Sequence, residues 1–589
     1  MRCFIVKLLL SNASHHRSTA DCITKFNICT GTPGNLLRVS YFHISLATLA
    51  TATTGVETAV TAGVVTTATT AVHTQKAAHS CSHSPAHSWS HSERQKSKMD
   101  LTTWLVAGAI FLIIYALFRK PDPRLPPFPT RPLPIFGNIL SMKADYRLQF
   151  RDWHKQCGDI FSLYMAGTLV VVLNGYDLIN EALVKRADIF SDRPPVFSDQ
   201  ISGIAEKGVI FSSGKLWKEQ RTVSLSILRS FGMGKNLLAE KIQEEVSCFM
   251  KFLADLKGKP TDIMLMLNVS TSNIICSILM GKRFEYDDEK FRELLNKLAV
   301  VVGDQQFTGL IQFMQWLKYV PGDFFQAKKI TSSIRSITDT LSAIIQETRR
   351  DINDLNDVRN LIDAYLLERN KKIQAGLSTT LDDENLTKLM TDLFAAGTET
   401  TSTTMYWCIL YMLHHPDVQE KVYREIVDKV GTDRTPTIQD KPQLTYLNAV
   451  IMETQRLASI VALSVTHLCS EEVNLRGHTL PKGTWIIPNL DSVLHDKATW
   501  GQDALSFRPE RFISNGTLTN PEQFIPFSTG RRICLGESVA RMELFIFLSN
   551  MFQRFEFVPP NPNNIPSLEY KAGTVVSPKH YEVRLIERK

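Results

Sequence analysis

The sequence predicts a mainly α-helical protein with small β-sheets, preceded by a single N-terminal membrane anchor. Residues 215–438 have a mostly helical pattern, whereas short strand-like runs lie before and after them. Residues 101–118 are uncharged and mainly apolar, and this length just suffices for a membrane helix. We therefore expect an anchored, helix-dominated body with its sheets at one side.

Residues 1–98 differ in composition from the rest of the 589-residue chain. They are rich in Ser, Thr, Ala and His, and they hold six of the seven net positive charges. Such a segment buries too little apolar surface to offset its ordering entropy, so we expect disorder. Met99 directly precedes the apolar stretch, so the segment is either an optional extension or a gene-model artefact. The remaining chain is almost neutral, which predicts no nucleic-acid partner.

The membrane anchor is predicted at residues 99–120. Arg119 and Lys120 directly follow the apolar stretch, and positive residues prefer the cytoplasmic side of a membrane. The body would then face the cytosol, and ten cysteines without a C-x-x-C pair suit that reducing compartment. The alternative is a cleaved signal peptide, but basic and proline-rich sequence follows in place of a small-residue cleavage site.

The body is predicted to begin after a proline-rich hinge. Seven prolines between positions 121 and 138, five of them at 126, 127, 129, 132 and 134, predict a stiff extended spacer that lifts the body off the bilayer. We interpret residues 139–589 as one domain, because motifs hundreds of residues apart serve one site. Within it, the pattern predicts a helix at 176–186, helix breaks at 257–260 and 321–322, and strands at 160–164, 169–173, 473–480, 484–487 and 581–586.

The segment FSTGRRICLG near the C-terminus places Cys534 in a turn between Gly530 and Gly536. A thiolate that binds a metal needs hydrogen-bond donors and partial desolvation. The two glycines would let the backbone turn tightly and approach a flat macrocycle. Phe527 would shield the sulfur, and Arg532 would pair with a propionate of haem. A buried structural cysteine is the alternative. However, the four neighbours Phe527, Gly530, Arg532 and Gly536 each suit a thiolate ligand of haem iron.

A second motif, AGTETT, lies inside a predicted helix at 383–414. Gly397 followed by polar residues is costly in the middle of a helix, which suggests a functional interruption. Glu399 and Thr400 supply an acid and an alcohol side by side, the groups that proton delivery requires. The alternative is an exposed helical patch of Thr and Glu.

A third motif combines Glu453, Arg456 and Arg511. The E-x-x-R spacing alone is weak, because Glu289/Arg292 and Glu347/Arg350 share it. Glu453 is selected because it lies on a predicted helix 81 residues before Cys534, with Arg511 between them.

Together these segments resemble the cytochrome P450 family, and most of all the microsomal, membrane-anchored P450s of clan 2. FSTGRRICLG matches the family's haem-binding pattern F-x-x-G-x-R-x-C-x-G at every fixed position. The resemblance implies a P450-type fold around a buried haem b, with Cys534 as the axial ligand of the iron. It also implies that Glu399 and Thr400 deliver protons for dioxygen cleavage. Glu453, Arg456 and Arg511 would form a buried ion network.

The same resemblance implies further contacts to the haem propionates. Trp217 and Arg221 match the family's W-x-x-x-R helix, with both side chains one turn apart on one face. His467 and Lys207 occupy places where relatives offer additional donors. For Lys207 a plain surface lysine is an equally weighted alternative.

The resemblance implies a monooxygenase that inserts one oxygen atom from O2 into a lipophilic small molecule: a fatty acid, steroid, terpenoid or xenobiotic. Electrons would come from a separate NADPH–cytochrome P450 reductase, and could also come from cytochrome b5. The protein would sit in the endoplasmic reticulum membrane as a single-pass protein with its catalytic domain in the cytosol. The alternatives are a peroxide-rearranging P450 that needs no reductase and a catalytically silent haem- or lipid-binding membrane protein.

The substrate pocket is expected to be largely apolar. The predicted walls are residues 195–211, 300–325, 392–400 and 461–466, and the tail near position 575. They include Phe197, Ile201, Phe307, Phe313, Phe394, Ala396 and Val461.

Overall fold

The computed structural model describes residues 121–231, 236–302, 308–350 and 358–588, together with five isolated positions between 104 and 111. The predicted extension at 1–98 and nearly all of the predicted anchor at 99–120 lie outside the described residues. In the described part of the chain, no helix has both the length and the apolar character needed to cross a bilayer.

The described body is mainly helical. Its first helices are α1 (Tyr146–Cys157), α2 (Tyr176–Asn180), α3 (Ala187–Phe190), α4 (Phe197–Gln200), α5 (Gly214–Ser230) and α6 (Asn236–Asp255). The next are α7 (Met264–Met280), α8 (Glu289–Val302), α9 (Thr308–Phe313), α10 (Ala327–Arg350), α11 (Leu361–Gln374) and α12 (Asp383–His414). The last are α13 (Pro416–Lys429), α14 (Thr445–Ala458), α15 (Leu490–Leu494), α16 (Lys497–Trp500) and α17 (Glu537–Arg554).

Short tight helical turns join some of these helices. A π-helical segment spans Glu181–Lys185, and 3-10 turns span Ile139–Ser141, Gln315–Tyr319, Pro321–Asp323, Ile438–Gln443, Pro509–Phe512 and Gly530–Arg532. The helix predicted at 176–186 is therefore α2 followed by the π-helical segment, and α3 follows directly.

The strands are short. They are β1 (Ile160–Met165), β2 (Thr168–Leu173), β3 (His467–Leu468), β4 (Val473–Leu475), β5 (His478–Leu480), β6 (Trp485–Pro488), β7 (Ile513–Ser514), β8 (Thr517–Leu518), β9 (Phe555–Val558), β10 (Tyr570–Ala572), β11 (Val576–Pro578) and β12 (Arg584–Glu587). One four-stranded sheet has the order β1-β2-β6-β3, and the other strands form two-stranded pairs. The predicted mainly α body with small sheets is confirmed.

Helix α12 is the central element of the largest core cluster. The Asp382 side chain caps its N-terminus by accepting from the Asn385 N–H at 2.7 Å, which satisfies one of the free donors of the first turn. The helix packs against α7, α10, α14 and α17, and most of its second half is buried. These contacts place one helix across the middle of the body, within reach of the C-terminal loop that carries Cys534.

The proline-rich segment packs against the body. The Pro127 carbonyl accepts from the Ser162 N–H of β1 at 2.8 Å, and the Arg124 carbonyl accepts from the Thr479 N–H of β5 at 2.9 Å. Phe128 stacks on Tyr164 with ring centroids 5.4 Å apart. Proline rigidity here lays an extended chain along these two strands.

Candidate cofactor and substrate site

One cavity of about 290 Å³ brings the sequence motifs together. Its walls include Thr400 of α12 on one side and Cys534 and Gly536 of the C-terminal loop on another. Apolar residues form much of the remaining lining, among them Val209, Ile275, Leu393, Val461, Phe527 and Val539. The motifs that lie far apart in the sequence therefore meet at one site.

Cys534 is accessible within this cavity. Its backbone N–H donates to the Phe527 carbonyl at 3.0 Å, which closes the turn. Burial among the surrounding atoms raises the pKa of the Cys534 thiol, and the backbone N–H groups of Gly536 and Glu537 oppose this rise. The loop thus offers the sulfur two hydrogen-bond donors in a desolvated place, as a bound thiolate requires.

The two glycines of the loop have different physical roles. Gly530 has φ +77°, and a Cβ there would lie 2.0 Å from the Leu183 carbonyl oxygen of the π-helical segment. Gly536 has φ −91° at the start of α17, a conformation that any residue adopts. A Cβ on Gly536 would meet no protein atom within 4 Å, and the residue lines the cavity. Gly530 is thus required by the turn, whereas Gly536 leaves open space at the cavity wall.

Three arginines on the cavity wall have no carboxylate partner among the described residues. Arg193, Arg221 and Arg532 all line it, and among the described residues none of the three forms an ion pair with an acid. They donate instead to backbone carbonyls: Arg532 to Ser191, Val209 and Ser212; Arg193 to Ile210, Val465 and Thr466; Arg221 to Ile533.

The arginine cluster is electrostatically strained. Burial lowers the pKa of Arg532 to about 8 and that of Arg193 to about 9, and each group is further disfavoured by neighbouring arginine charge. Burial also lowers the pKa of Arg221. A guanidinium normally stays charged in proteins, so the direction of these shifts marks three cations that lack an anion.

Trp217 adds an unpaired hydrogen-bond donor beside the three arginines. Its ring lies beneath the Arg532 guanidinium, 3.8 Å from the ring centroid, and its buried indole N–H has no partner among the described residues. Buried polar groups are rarely left unpaired. The predicted Trp217–Arg221 face of α5 is therefore directed at the same anion-poor region as Arg532.

The other two predicted donors lie away from the cavity wall. His467 is buried, and its Nδ1 lies 2.6 Å from the Phe190 carbonyl oxygen. Burial lowers its pKa well below the usual range, so it is a neutral imidazole held by a backbone group. Lys207 pairs with Glu384 at 2.6 Å and Asp382 at 3.8 Å near the start of α12. These contacts agree with the alternative that Lys207 is a plain surface lysine.

Helix α12 is continuous through AGTETT, contrary to the predicted interruption. A Cβ on Gly397 would lie 2.6 Å from two side-chain atoms of Ile275, so glycine allows α7 and α12 to pack closely. Thr400 lines the cavity and donates from its hydroxyl to the Ala396 carbonyl at 2.8 Å. Glu399 is half-buried outside the lining, and burial raises its pKa while nearby His580 lowers it.

Glu453, Arg456 and Arg511 form the predicted network. Arg456 donates to both Glu453 carboxylate oxygens at 2.7 and 2.9 Å, and Arg511 donates to one of them at 2.9 Å. The remaining guanidinium hydrogens reach backbone carbonyls, which include those of Leu494 and Ala504. Glu453 and Arg456 have no solvent exposure, and the network satisfies them internally.

The predicted pocket walls were correct only in part. Ala396 and Val461 line the cavity, whereas Phe394 lies in the core behind it. Phe197, Ile201 and Phe313 belong to a separate apolar cluster, and Phe307 lies outside the described residues. Neither the described part of 300–325 nor the tail near position 575 contributes lining residues.

Sequence reasoning missed Arg193 and the wall formed by α7. Arg193 stands alone in SDRPPVF and belongs to no spaced motif, so its role depends on contacts with residues 17 to 273 positions away. Ile275, Ile278 and Leu279 line the cavity, but in the sequence they are simply part of an apolar helix.

Comparison with known proteins agrees with this geometry. The family model described as "Cytochrome P450" matches residues 126–585, and the chain belongs to the cytochrome P450 family. It is 38% identical to human cytochrome P450 2D6, over 82% of this chain and 98% of that protein. It is 37% identical to bovine cytochrome P450 2U1, over 82% of this chain and 94% of that protein. It is 38% identical to the pig vitamin D(3) 25-hydroxylase, over 82% of this chain and 97% of that protein.

The protein is therefore a haem-thiolate monooxygenase with haem b as its cofactor. The residues present fit this group. Haem carries two carboxylates, and the cavity presents three arginines that lack an anion. The unpaired indole N–H of Trp217 lies beside Arg532. The cavity also presents one cysteine beside open space at Gly536. The donor set thus matches both the metal and the acidic edge of the cofactor.

Proposed function

We propose that this monooxygenase oxidises a lipophilic small molecule, such as a fatty acid, steroid, terpenoid or xenobiotic, in the cavity between α12 and the Cys534 loop. The observation that carries the proposal is the position of Thr400, Cys534 and the unpaired arginines on one largely apolar cavity. The name of the pig relative, a vitamin D(3) hydroxylase, describes chemistry of this kind on a lipophilic molecule.

Cofactor binding is assigned to residues at two edges of the cavity. The Cys534 thiolate would ligate the iron, with the N–H groups of Gly536 and Glu537 supporting its charge. Arg193, Arg221, Arg532 and Trp217 would pair with the propionates. When bound, haem supplies the reductive activation of O2 and the oxygen transfer.

Thr400 and Glu399 would hold and move protons. The Thr400 hydroxyl lies at the cavity wall and donates to the Ala396 carbonyl of the same helix. Rotation about the Thr400 side-chain bond would redirect the hydroxyl towards a molecule bound in the cavity. Glu399 lies on the same helix, half-buried, with a raised pKa, and it would pass protons inward from solvent. A Thr400→Ala variant should consume NADPH without matching product formation.

Electrons are proposed to come from a separate NADPH–cytochrome P450 reductase, with cytochrome b5 as a further donor. The 589 residues contain no G-x-G-x-x-G motif. We further propose that residues 1–98 form an extension and 99–120 a membrane anchor in the endoplasmic reticulum. The hinge at 121–138 would connect this anchor to a cytosolic domain at 139–589.

The test is expression of the chain with and without Cys534→Ser. The wild-type protein, reduced and exposed to carbon monoxide, should show the absorption band of thiolate-ligated haem, and the variant should lose that band. With the reductase, NADPH and labelled O2, one labelled oxygen atom should appear in a lipophilic product. Retention of the thiolate band by Cys534→Ser would refute the ligand assignment. Turnover of lipid hydroperoxides without NADPH, combined with the absence of any NADPH-dependent product, would refute dependence on the reductase.

A further inference from the structure

A buried ion triad lies beside the cavity. Lys388 of α12 places its Nζ 2.8 Å from the Asp199 carboxylate of α4 and 3.3 Å from the Asp392 carboxylate one turn further along α12. The side chains are 7%, 1% and 3% exposed, respectively. Buried charges persist only when they are paired and hydrogen-bonded, and Lys388 is the cation that pairs with both carboxylates.

Asp392 is the member that reaches the cavity wall. Its second carboxylate oxygen accepts from the backbone N–H groups of Val209 and Ile210 at 2.9 and 3.0 Å. Lys388 and this loop therefore occupy both carboxylate oxygens. The same two loop residues offer their carbonyls to Arg532 and Arg193 at 3.3 and 3.2 Å, so the triad also fixes the loop that holds the cofactor arginines.

The charge of the cavity depends on this arrangement. Among the described lining residues the carboxylates are Asp392 and Glu543. Burial raises the pKa of Glu543 to about 8, so that group is mostly protonated at neutral pH. The arginines lie where the cofactor carboxylates would neutralise them. Asp392 is then the charged carboxylate on the cavity wall with which a substrate would interact. Lys388, which is not a lining residue, neutralises that charge through its ion pair with Asp392.

We propose that Lys388 is a specificity-determining residue that keeps the substrate cavity suited to uncharged molecules and unsuited to organic cations. This inference rests on the proposed function, because it concerns the substrate class of the same cavity. An ammonium ion entering the native cavity would find Asp392 already paired, and it would lose its hydration without gaining a counter-ion. Without Lys388, the ligand cation could take the place of the lysine ammonium.

The test uses the haem-loaded enzyme and a matched ligand pair. One ligand is a phenylbutyl trimethylammonium ion, which cannot coordinate iron. The other is its neutral tert-butyl analogue, in which carbon replaces nitrogen. Dissociation constants are measured from the shift of the haem absorption band. The wild type should bind the neutral ligand at least about tenfold more tightly than the cation, and Lys388→Met should reduce that preference at least about tenfold.

Two matched variants sharpen the test. Lys388→Met/Asp392→Asn should lose the gain in cation binding, because the uncompensated carboxylate is removed. Lys207→Met, which removes a lysine paired with Glu384 outside the cavity wall, should keep the wild-type preference. An unchanged preference in Lys388→Met would overturn the proposal.

If Lys388→Met does not retain haem, the wild-type affinities alone can still overturn the proposal. Equal affinity of the wild type for the two ligands would overturn the proposal without any variant. Failure of the neutral ligand to bind any haem-loaded form would instead overturn the lipophilic substrate class itself. The two failures are therefore distinct.

Discussion

Two groups of buried arginines in this protein solve the same electrostatic problem in opposite ways. Arg456 and Arg511 share the Glu453 carboxylate, and backbone carbonyls take their remaining hydrogens. Arg193, Arg221 and Arg532 have only carbonyl partners among the described residues. The first group is complete in the protein alone, whereas the second lacks anionic charge.

The difference separates a structural network from a ligand site. Burying a cation without an anion costs free energy, and the lowered pKa values of all three cavity arginines show that cost. A fold retains such a cluster when a ligand supplies the missing charge. The carboxylates of haem have the chemistry for this, and the cluster lies on the cavity that also holds Cys534.

The largest expected effect comes from breaking the complete network. Glu453→Gln would leave two buried guanidinium groups without their anion, and we expect a loss of about 3–5 kcal/mol in the free energy of unfolding. Urea denaturation, or loss of soluble expression, would measure it. Glu347→Gln is the control, because Glu347 has the same E-x-x-R spacing but pairs with Lys282 at the surface. Equal effects of the two substitutions would contradict a structural role specific to Glu453.

A smaller effect is expected when the open cluster loses one member. Arg532→Gln should weaken haem retention by about 2–3 kcal/mol, since a charge-assisted hydrogen bond is lost. The haem content of purified protein, followed during competition with a haem-binding acceptor, measures the change. Arg531→Gln alters the exposed neighbouring residue and should retain haem normally. Normal retention in Arg532→Gln would remove this residue from the propionate site.

Glu543 provides the reverse case, a buried acid without a cation. Burial raises its folded-state pKa to about 8 from the usual 4.5 of a glutamate, so the folded protein binds one more proton than the unfolded chain between these values. Stability from this group is therefore present at low pH and is lost as pH rises towards 8. Glu543→Gln should remove that slope and raise the unfolding free energy at pH 8 above that of the wild type. Parallel pH profiles for both proteins would contradict the shift.

The smallest effect is expected at Lys207. Its partners Glu384 and Asp382 are 62% and 49% exposed, and surface ion pairs contribute about 0–1 kcal/mol. Lys207→Met should therefore change the unfolding free energy by less than about 1 kcal/mol and leave haem content unchanged. Loss of haem on this substitution would restore Lys207 as a cofactor ligand.

The sequence predicted the long elements of the fold well. Helix α12 spans the predicted residues 383–414, because capping by Asp382 and sustained apolar periodicity are local properties. The hairpins β7-β8 and β10-β11 were missed, since strands of two or three residues carry too little pattern. The contacts of the proline-rich segment with β1 and β5 were not predicted, because they are tertiary.

Within the site, spaced motifs were predictable and isolated residues were not. Cys534, Arg532 and Glu453 belong to fixed patterns, and the structure brings the first two to one cavity and the third into the expected network. Arg193 has no pattern, and its place depends on the fold as a whole. Gly397 was misinterpreted, since its contact with Ile275 arises from packing between helices that are distant in sequence.

The central claim is that the open arginine cluster is completed by the carboxylates of haem. The most direct test compares haem with its dimethyl ester, which has the same iron and ring but no anionic groups, in binding to the haem-depleted protein. The account predicts that haem binds at least about 100-fold more tightly than the ester, and that Arg532→Gln narrows this ratio. Equal affinities for haem and its ester would contradict the account.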